Sequence, residues 1–196
     1  MAIVIGMPRR SSLRTAGLLL VGLSVAALAR AGLNGHTSPS AFAAGAAFGA
    51  ALVLMTFLAG WRPSWPPVRT LLVGALGGLV VIAVPRVIHP LAPAAVGMRP
   101  EPFVAWAIVT GVVVMGEEAV LRGVLFAAVE GAAGALPAVA LTSLAFALIH
   151  VPLYGWQVVP LDIGVGVWFA GLRLATGGAG AAAVAHALAD LSTWWL

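Results

Sequence analysis

Cysteine is absent from the 196 residues, every basic side chain is arginine, tyrosine occurs once, and charged residues make up only 8% of the chain. Without cysteine there is no disulfide, no thiol nucleophile and no cysteine-ligated zinc. Soluble domains carry roughly 25% charged residues, so the low charge, with 62% hydrophobic residues and a mean hydropathy of +1.08, excludes that class. The chain reads as a polytopic membrane protein whose solvent is a lipid bilayer. Its formal net charge of +4 comes from ten arginines and six acids. The arginines are scattered, most of them between apolar stretches, as positive-inside anchors are. There is no basic run and no nucleic-acid motif, so no nucleic-acid partner is expected.

Long apolar runs fill the space that charge leaves. Seven windows fit the roughly 20 residues that a transmembrane helix requires: 14–32, 41–60, 69–88, 103–131, 135–151, 158–175 and 179–196. Pro, Gly and polar residues break them at "NGHTSPS", "GWRPSWPPVR", "PRVIHPLAPAAVGMRPEP", "GAAG", "PLYGWQ" and "TGGAG". The expected fold is all-α: a polytopic transmembrane bundle of about seven helices, forming one integral-membrane domain over 1–196 in the cell membrane. "MPRRSSLR" followed by "TAGLLLVGLSVAALARA" has the build of a signal peptide, yet the apolar runs that follow favour a retained first helix. Arg9, Arg10 and Arg14 before helix 1, with Arg62 and Arg69 after helix 2, place the N-terminus inside. Arg86 and Arg99 in the next loop argue the other way. The small residues of "AAGAAFGAA" and "GALGG" suit close helix packing.

Against this background "VVVMGEEAVLRGVLF" at 112–126 is anomalous, because Glu117, Glu118 and Arg122 interrupt an apolar helix. His150, His186 and Asp190 also fall within spans, while Glu130 and Asp162 lie near helix ends within reach of water or headgroups. Ionisable groups at membrane depth cost several kcal/mol on some scales and mark functional cavities. Glu118 and Arg122 are four apart, share a helix face and can pair. Glu117 points about 100° away and stays free. His186 and Asp190 repeat the four-residue spacing, as do Phe146 and His150. Glu117 and His150 lie at matched depth on either side of "GAAG", about 20–25 Å from the turn. His186, only about ten residues past the next turn, is expected nearer the surface unless helix tilt or a deeply placed loop closes the gap. Such a set suits water activation by a carboxylate and His, with other groups steadying an oxyanion. It equally suits a divalent metal such as zinc. HExxH and G-x-S-x-G are absent, and Ser143 is two turns from His150, which disfavours a serine mechanism.

Read as "EEAVLR" at 117–122, "FALIH" at 146–150 and "HALAD" at 186–190, these residues resemble the E-E-x-x-x-R, F-x-x-x-H and H-x-x-x-N/D motifs of the CPBP intramembrane proteases. That family includes the CAAX-processing endopeptidase of the Ras-converting type and bacterial relatives linked to bacteriocin processing and self-immunity. The motifs fall in family order, and "FAGLRLATGGAGAAAVAHA" is similar to the family's Gly-rich approach to its last His. The resemblance covers about 103–196, the motif-bearing core, with the active site between helices 4, 5 and 7. It implies an endopeptidase acting on a membrane-associated peptide or protein. Glu117 would polarise the attacking water beside His150, Glu118 and Arg122 would form an orienting pair, and His186 with residue 190 would stabilise the oxyanion. Many members have Asn where this chain has Asp190, which could orient His186, stay protonated, or ligate a metal. A metal-free mechanism is favoured; zinc held by Glu117, His150, His186 and Asp190 is the alternative. A non-catalytic scaffold or immunity protein of the same fold, or a small transporter, are the competing functions. Transporters often show repeated halves, whereas here the polar residues crowd into the C-terminal half. The motifs leave a prenylated CAAX tail and a bacteriocin leader equally open as substrates. The Ala, Gly and Arg usage points to a GC-rich bacterial genome, where prenylation is not expected.

Overall fold

The chain was analysed as a computed structural model, which describes residues 9–34, 38–62, 64–88 and 102–195. The side chains of Arg9, Arg10 and Arg86, and the whole of Arg99, lie outside the described residues, as do much of "NGHTSPS" and of "PRVIHPLAPAAVGMRPEP". Seven helices and no strand occur among the described residues: α1 (Arg9–Leu33), α2 (Ser38–Leu58), α3 (Val68–Ile88), α4 (Phe103–Ala133), α5 (Ala135–Tyr154), α6 (Val159–Thr176) and α7 (Gly180–Ser192). This is an all-α transmembrane bundle. Leu18, Leu58, Leu72, Leu76, Val104 and Ile108 project outward, which water would penalise and lipid accepts. Trp65 is exposed at one end, and Phe103, Trp106, Trp194 and Trp195 cluster at the other, in the manner of interfacial aromatic belts.

Not all seven helices span alike. Five have the length and apolarity to cross a membrane, and the shorter apolar stretch Val68–Ala83 lies in α3. The expected seventh span, 179–196, is corrected to a shorter helix. At about 1.5 Å per residue α7 reaches about 20 Å, against a hydrocarbon core of about 30 Å. It ends at Ser192 because Ser192 Oγ donates to Ala189 O and Thr193 Oγ1 to Asp190 O, each at 2.7 Å. These hydroxyls satisfy carbonyls at the last turn.

Helix α4 lies at the centre and packs on α1, α2, α5, α6 and α7. The turn into α5 is Gly134 alone, whose φ of 92° would strain any residue with a side chain. Close crossings surround α4. A Cβ on Gly116 would meet Leu52 Cβ at 2.8 Å, pinning α2 beside Glu117. Gly74 and Gly78 let α3 approach α7, for their Cβ positions lie 2.7 and 3.0 Å from Ala181 O and Ala185 O. Lipid supplies no hydrophobic force between helices, so contact of this kind is what holds them.

Gly74→Ala is therefore expected to push α3 off α7 and to lower the thermal midpoint in detergent, since overpacking a close contact costs about 1–3 kcal/mol. Gly171→Ala, whose Cβ would meet nothing within 4 Å, is expected to leave the midpoint unchanged. Equal midpoints for the two variants would contradict the close-contact argument.

Candidate active site

The charged helix is not a regular α-helix. Within α4, Ala119–Leu125 is a π-helical segment between the α-helical pieces Phe103–Glu118 and Phe126–Ala133. The Phe126 N–H reaches Leu121 O and Gly123 O, bypassing Arg122 O, which regular α geometry would have it meet. The freed carbonyl accepts from Arg173 Nε of α6 at 2.9 Å, and Arg173 Nη2 also lies 3.7 Å from Glu130 Oε2. π-bulges of this kind are frequent at functional sites.

Around that segment the four-residue spacings become contacts. Arg122 Nη1 donates to Glu118 Oε1 at 2.9 Å, and Arg122 Nη2 donates to Gly166 O of α6 at 3.0 Å. The guanidinium lies over the rings of Phe146 and Phe169, 4.8 and 5.4 Å from their centroids. His186 Nδ1 donates to the same Glu118 Oε1, also at 2.9 Å. Glu118 and Arg122 are wholly buried. The neighbouring Glu117 is buried too but differently placed. Its oxygens lie 3.8 Å from His186 Nε2 and 3.9 Å from Arg30 Nη1, close enough for charge attraction and too far for hydrogen bonds. Asp190 Oδ1 is 3.6 Å from His186 Nε2, with a side chain 44% exposed. A cavity of about 440 Å³ opens alongside, with Arg30, Thr110, Tyr154 and Asp190 among its polar walls.

His150 stands slightly apart. Its Nδ1 is 2.9 Å from Phe146 O and 3.2 Å from Asp162 Oδ2, and its ring packs edge-on against Phe146. It interacts with Glu117 electrostatically. Ser143 is buried at the α5–α6 crossing against Gly166, remote in role from these groups.

Of the two ways to bring His186 to the depth of the site, the structure has the deeply placed turn. Arg122 lies about 18 Å along α4 from the Gly134 turn, and Arg173 about 6 Å along α6 from the Gly177 turn, at about 1.5 Å per residue. Because Arg173 bonds to Arg122 O, the Gly177 turn sits about 10 Å deeper than the Gly134 turn. That offset carries His186 to the level of Glu118. Three further groups escaped the motif reading. Arg30 ends α1 yet points at Glu117; Arg173 holds the π-segment; Asp162, assigned above to a wet helix end, faces His150. The signal for Asp162 was the tight reversal at Gly155 (φ 84°), which folds the start of α6 back along the end of α5.

As a metal site the cluster is a poor fit. Glu118 Oε1 is taken up by Arg122 and His186, and among the described residues no group of three or more His, Cys, Asp or Glu side chains is arranged to hold an ion. What the arrangement can do unaided is hold one uncommitted carboxylate beside one imidazole nitrogen, next to the Arg30 and Asp190 side chains that line the cavity.

Residues 99–192 match the family model described as Rce1-like, type II CAAX prenyl endopeptidase. The match covers α4–α7 and all three motifs. Neither a curated protein nor a solved structure matches the chain.

Breaking a buried ion pair by removing one partner typically costs about 3–5 kcal/mol. Arg122→Ala is expected to melt well below wild type in detergent. Glu118→Leu combined with Arg122→Met, which removes both charges, is expected to recover part of the loss. An unchanged midpoint for Arg122→Ala would rule out the brace.

Proposed function

The chain belongs to the CAAX protease family of membrane peptidases, and from that membership we propose that it is an intramembrane endopeptidase that hydrolyses a peptide bond of a membrane-associated protein or peptide, with Glu117 as the base for the attacking water. The observation that carries this reading is the asymmetry of the carboxylate pair. Glu118 receives two hydrogen bonds at 2.9 Å, both on Oε1, whereas Glu117 accepts none from the described residues and lies between His186 Nε2 and Arg30 Nη1. A carboxylate held in a dry site with nothing donated to it is poised to take a proton from water.

The remaining groups follow in role. Glu118 fixes the His186 ring through Nδ1, so that Nε2 faces Glu117 and Asp190. From there His186 donates to the oxygen of the tetrahedral intermediate. His150, oriented by Asp162 and Phe146 O, stands with Glu117 at the attacking water. Asp190 acts through His186: a carboxylate cannot donate to an oxyanion, but at 3.6 Å it can hold the imidazole in place. The composition supports a bacterial cell membrane as the setting and a non-prenylated peptide as the substrate.

General-base catalysis contributes typically 10²–10⁴-fold, so Glu117→Gln is expected to lose at least that much hydrolysis while still folding and binding peptide. Comparing membrane peptides from cells carrying wild type or Glu117→Gln identifies the substrate. Cleavage by Glu117→Gln at the wild-type rate would refute the protease reading and favour a scaffold or immunity protein.

Asp190→Asn separates the orienting role from a metal-ligand role. An amide of the same size keeps an oxygen beside His186 Nε2, so most activity is expected to remain, and chelation is expected to change nothing. A dead Asp190→Asn variant, together with chelator-sensitive activity restored by zinc, would reverse that assignment.

A further inference from the structure

Arg30 belongs to α1, outside the matched residues 99–192, and ends that helix as a basic residue in its last turn. A basic residue there is ordinarily an interface anchor that also satisfies helix-end carbonyls. Arg62 at the end of α2 behaves in that way: its Nη1 donates to Phe57 O and Trp61 O. Arg30 does not. Its side chain is 21% exposed, its guanidinium lies 4.9 Å from the centroid of the Phe48 ring, and Nη1 is 3.9 Å from Glu117 Oε1. It makes no hydrogen bond to the described residues. It lines the 440 Å³ cavity together with Asp190 and Tyr154. The other buried arginine of the site, Arg122, has both terminal nitrogens engaged, Nη1 by Glu118 and Nη2 by Gly166 O.

A guanidinium with uncommitted donors, held beside the base and facing the cavity, is placed for the charge that hydrolysis creates. We propose that Arg30 is a catalytic residue that binds the oxygen of the scissile carbonyl and stabilises the oxyanion, opposite His186. The inference rests on the endopeptidase reading above. As Glu117 takes one proton from water, the water oxygen bonds to the carbonyl carbon. The carbonyl π pair then moves onto the oxygen, where the Arg30 N–H groups meet it. Collapse restores the carbonyl, breaks the C–N bond, and sends the proton held by Glu117 to the departing amine. One water is consumed and two peptide fragments leave. Among the groups around Glu117, Glu118 and Asp190 only accept hydrogen bonds when ionised, and His150 Nδ1 is turned to Phe146 O and Asp162. His186 Nε2 and the Arg30 guanidinium are thus donors placed on opposite oxygens of Glu117.

The test uses the purified full chain in liposomes with a library of internally quenched, lipid-anchored peptides as probe. Wild type, Glu117→Gln, Arg30→Ala and Arg30→Lys are compared, with and without added methylguanidinium. Removing one oxyanion donor typically lowers kcat by about 10²–10³-fold. Arg30→Ala is expected to lose that much kcat with KM within about threefold, to regain at least tenfold on adding methylguanidinium, and to melt close to wild type; Arg30→Lys should fall between the two. Wild-type kcat in Arg30→Ala, a loss confined to KM, or a kcat loss that methylguanidinium leaves uncorrected would each overturn the role of Arg30 while leaving the endopeptidase reading standing. A folded wild type that cleaves no member of the library, or a Glu117→Gln variant as active as wild type, would instead bring down the endopeptidase reading and this inference with it.

Discussion

One oxygen, Glu118 Oε1, accepts from both Arg122 Nη1 and His186 Nδ1 at 2.9 Å, and much of the bundle is arranged to permit that. In hydrocarbon a carboxylate without donors or a guanidinium without acceptors is severely penalised. The pair therefore draws partners from other helices. Arg122 takes Gly166 O from α6 and the ring faces of Phe146 and Phe169 from α5 and α6. His186 brings α7 against α4, and α7 is admitted there because Gly74 and Gly78 of α3 present no side chain to it. Bringing donors to one buried carboxylate oxygen thus fixes the mutual positions of four helices.

The same demand explains why α4 departs from regular geometry where its charges lie. A π-segment leaves a carbonyl without its intrahelical partner, an arrangement that survives in lipid only if another donor arrives. Arg173 provides it from α6, and in doing so sets the Gly177 turn deep in the bundle. The deformation, the bridging arginine and the depth of His186 are one coupled feature. Most of the irregular segment is covered by protein: Ala119, Val120, Leu121, Arg122 and Leu125 are buried, and Gly123 and Val124 are half-buried.

How much of this was legible in the sequence follows from the range of each interaction. Helix number and approximate limits were, because about 20 apolar residues between Pro and Gly breaks have few other uses. The Glu118–Arg122 contact was, because a four-residue separation fixes it locally. The division of the glutamate doublet followed from the helical angle alone. What periodicity could not carry was any contact set by the offset between turns. Residue counting alone put His186 nearer the surface and left open whether tilt or a deep turn closes the gap, and Asp162 looked like a wetted helix end. Arg30 was missed for a different reason: in sequence it is one more arginine at the end of an apolar run, and only its packing on Phe48 distinguishes it from an anchor. The π-segment left no mark in the sequence beyond the charges themselves.

Those misses lie mostly outside the motifs, and they bear on what the first three helices are for. The matched half contains every motif residue, yet it does not complete the surroundings of Glu117. Helix α2 presses Leu52 and Gly49 onto Gly116, the residue before Glu117, so the backbone carrying that carboxylate has little room to move. Helix α1 adds the cation on its far oxygen, and α3 supports the helix that carries His186. Motif residues supply the reacting groups, but their orientation is imposed by helices whose sequences read only as generic membrane spans. Small and apolar residues suffice there because what α2 and α3 contribute is proximity, which any side chain of the right size can provide. Arg30 is the exception, a single polar group from the otherwise generic half directed at the site. It is the residue whose chemistry, rather than size, ties α1 to the site.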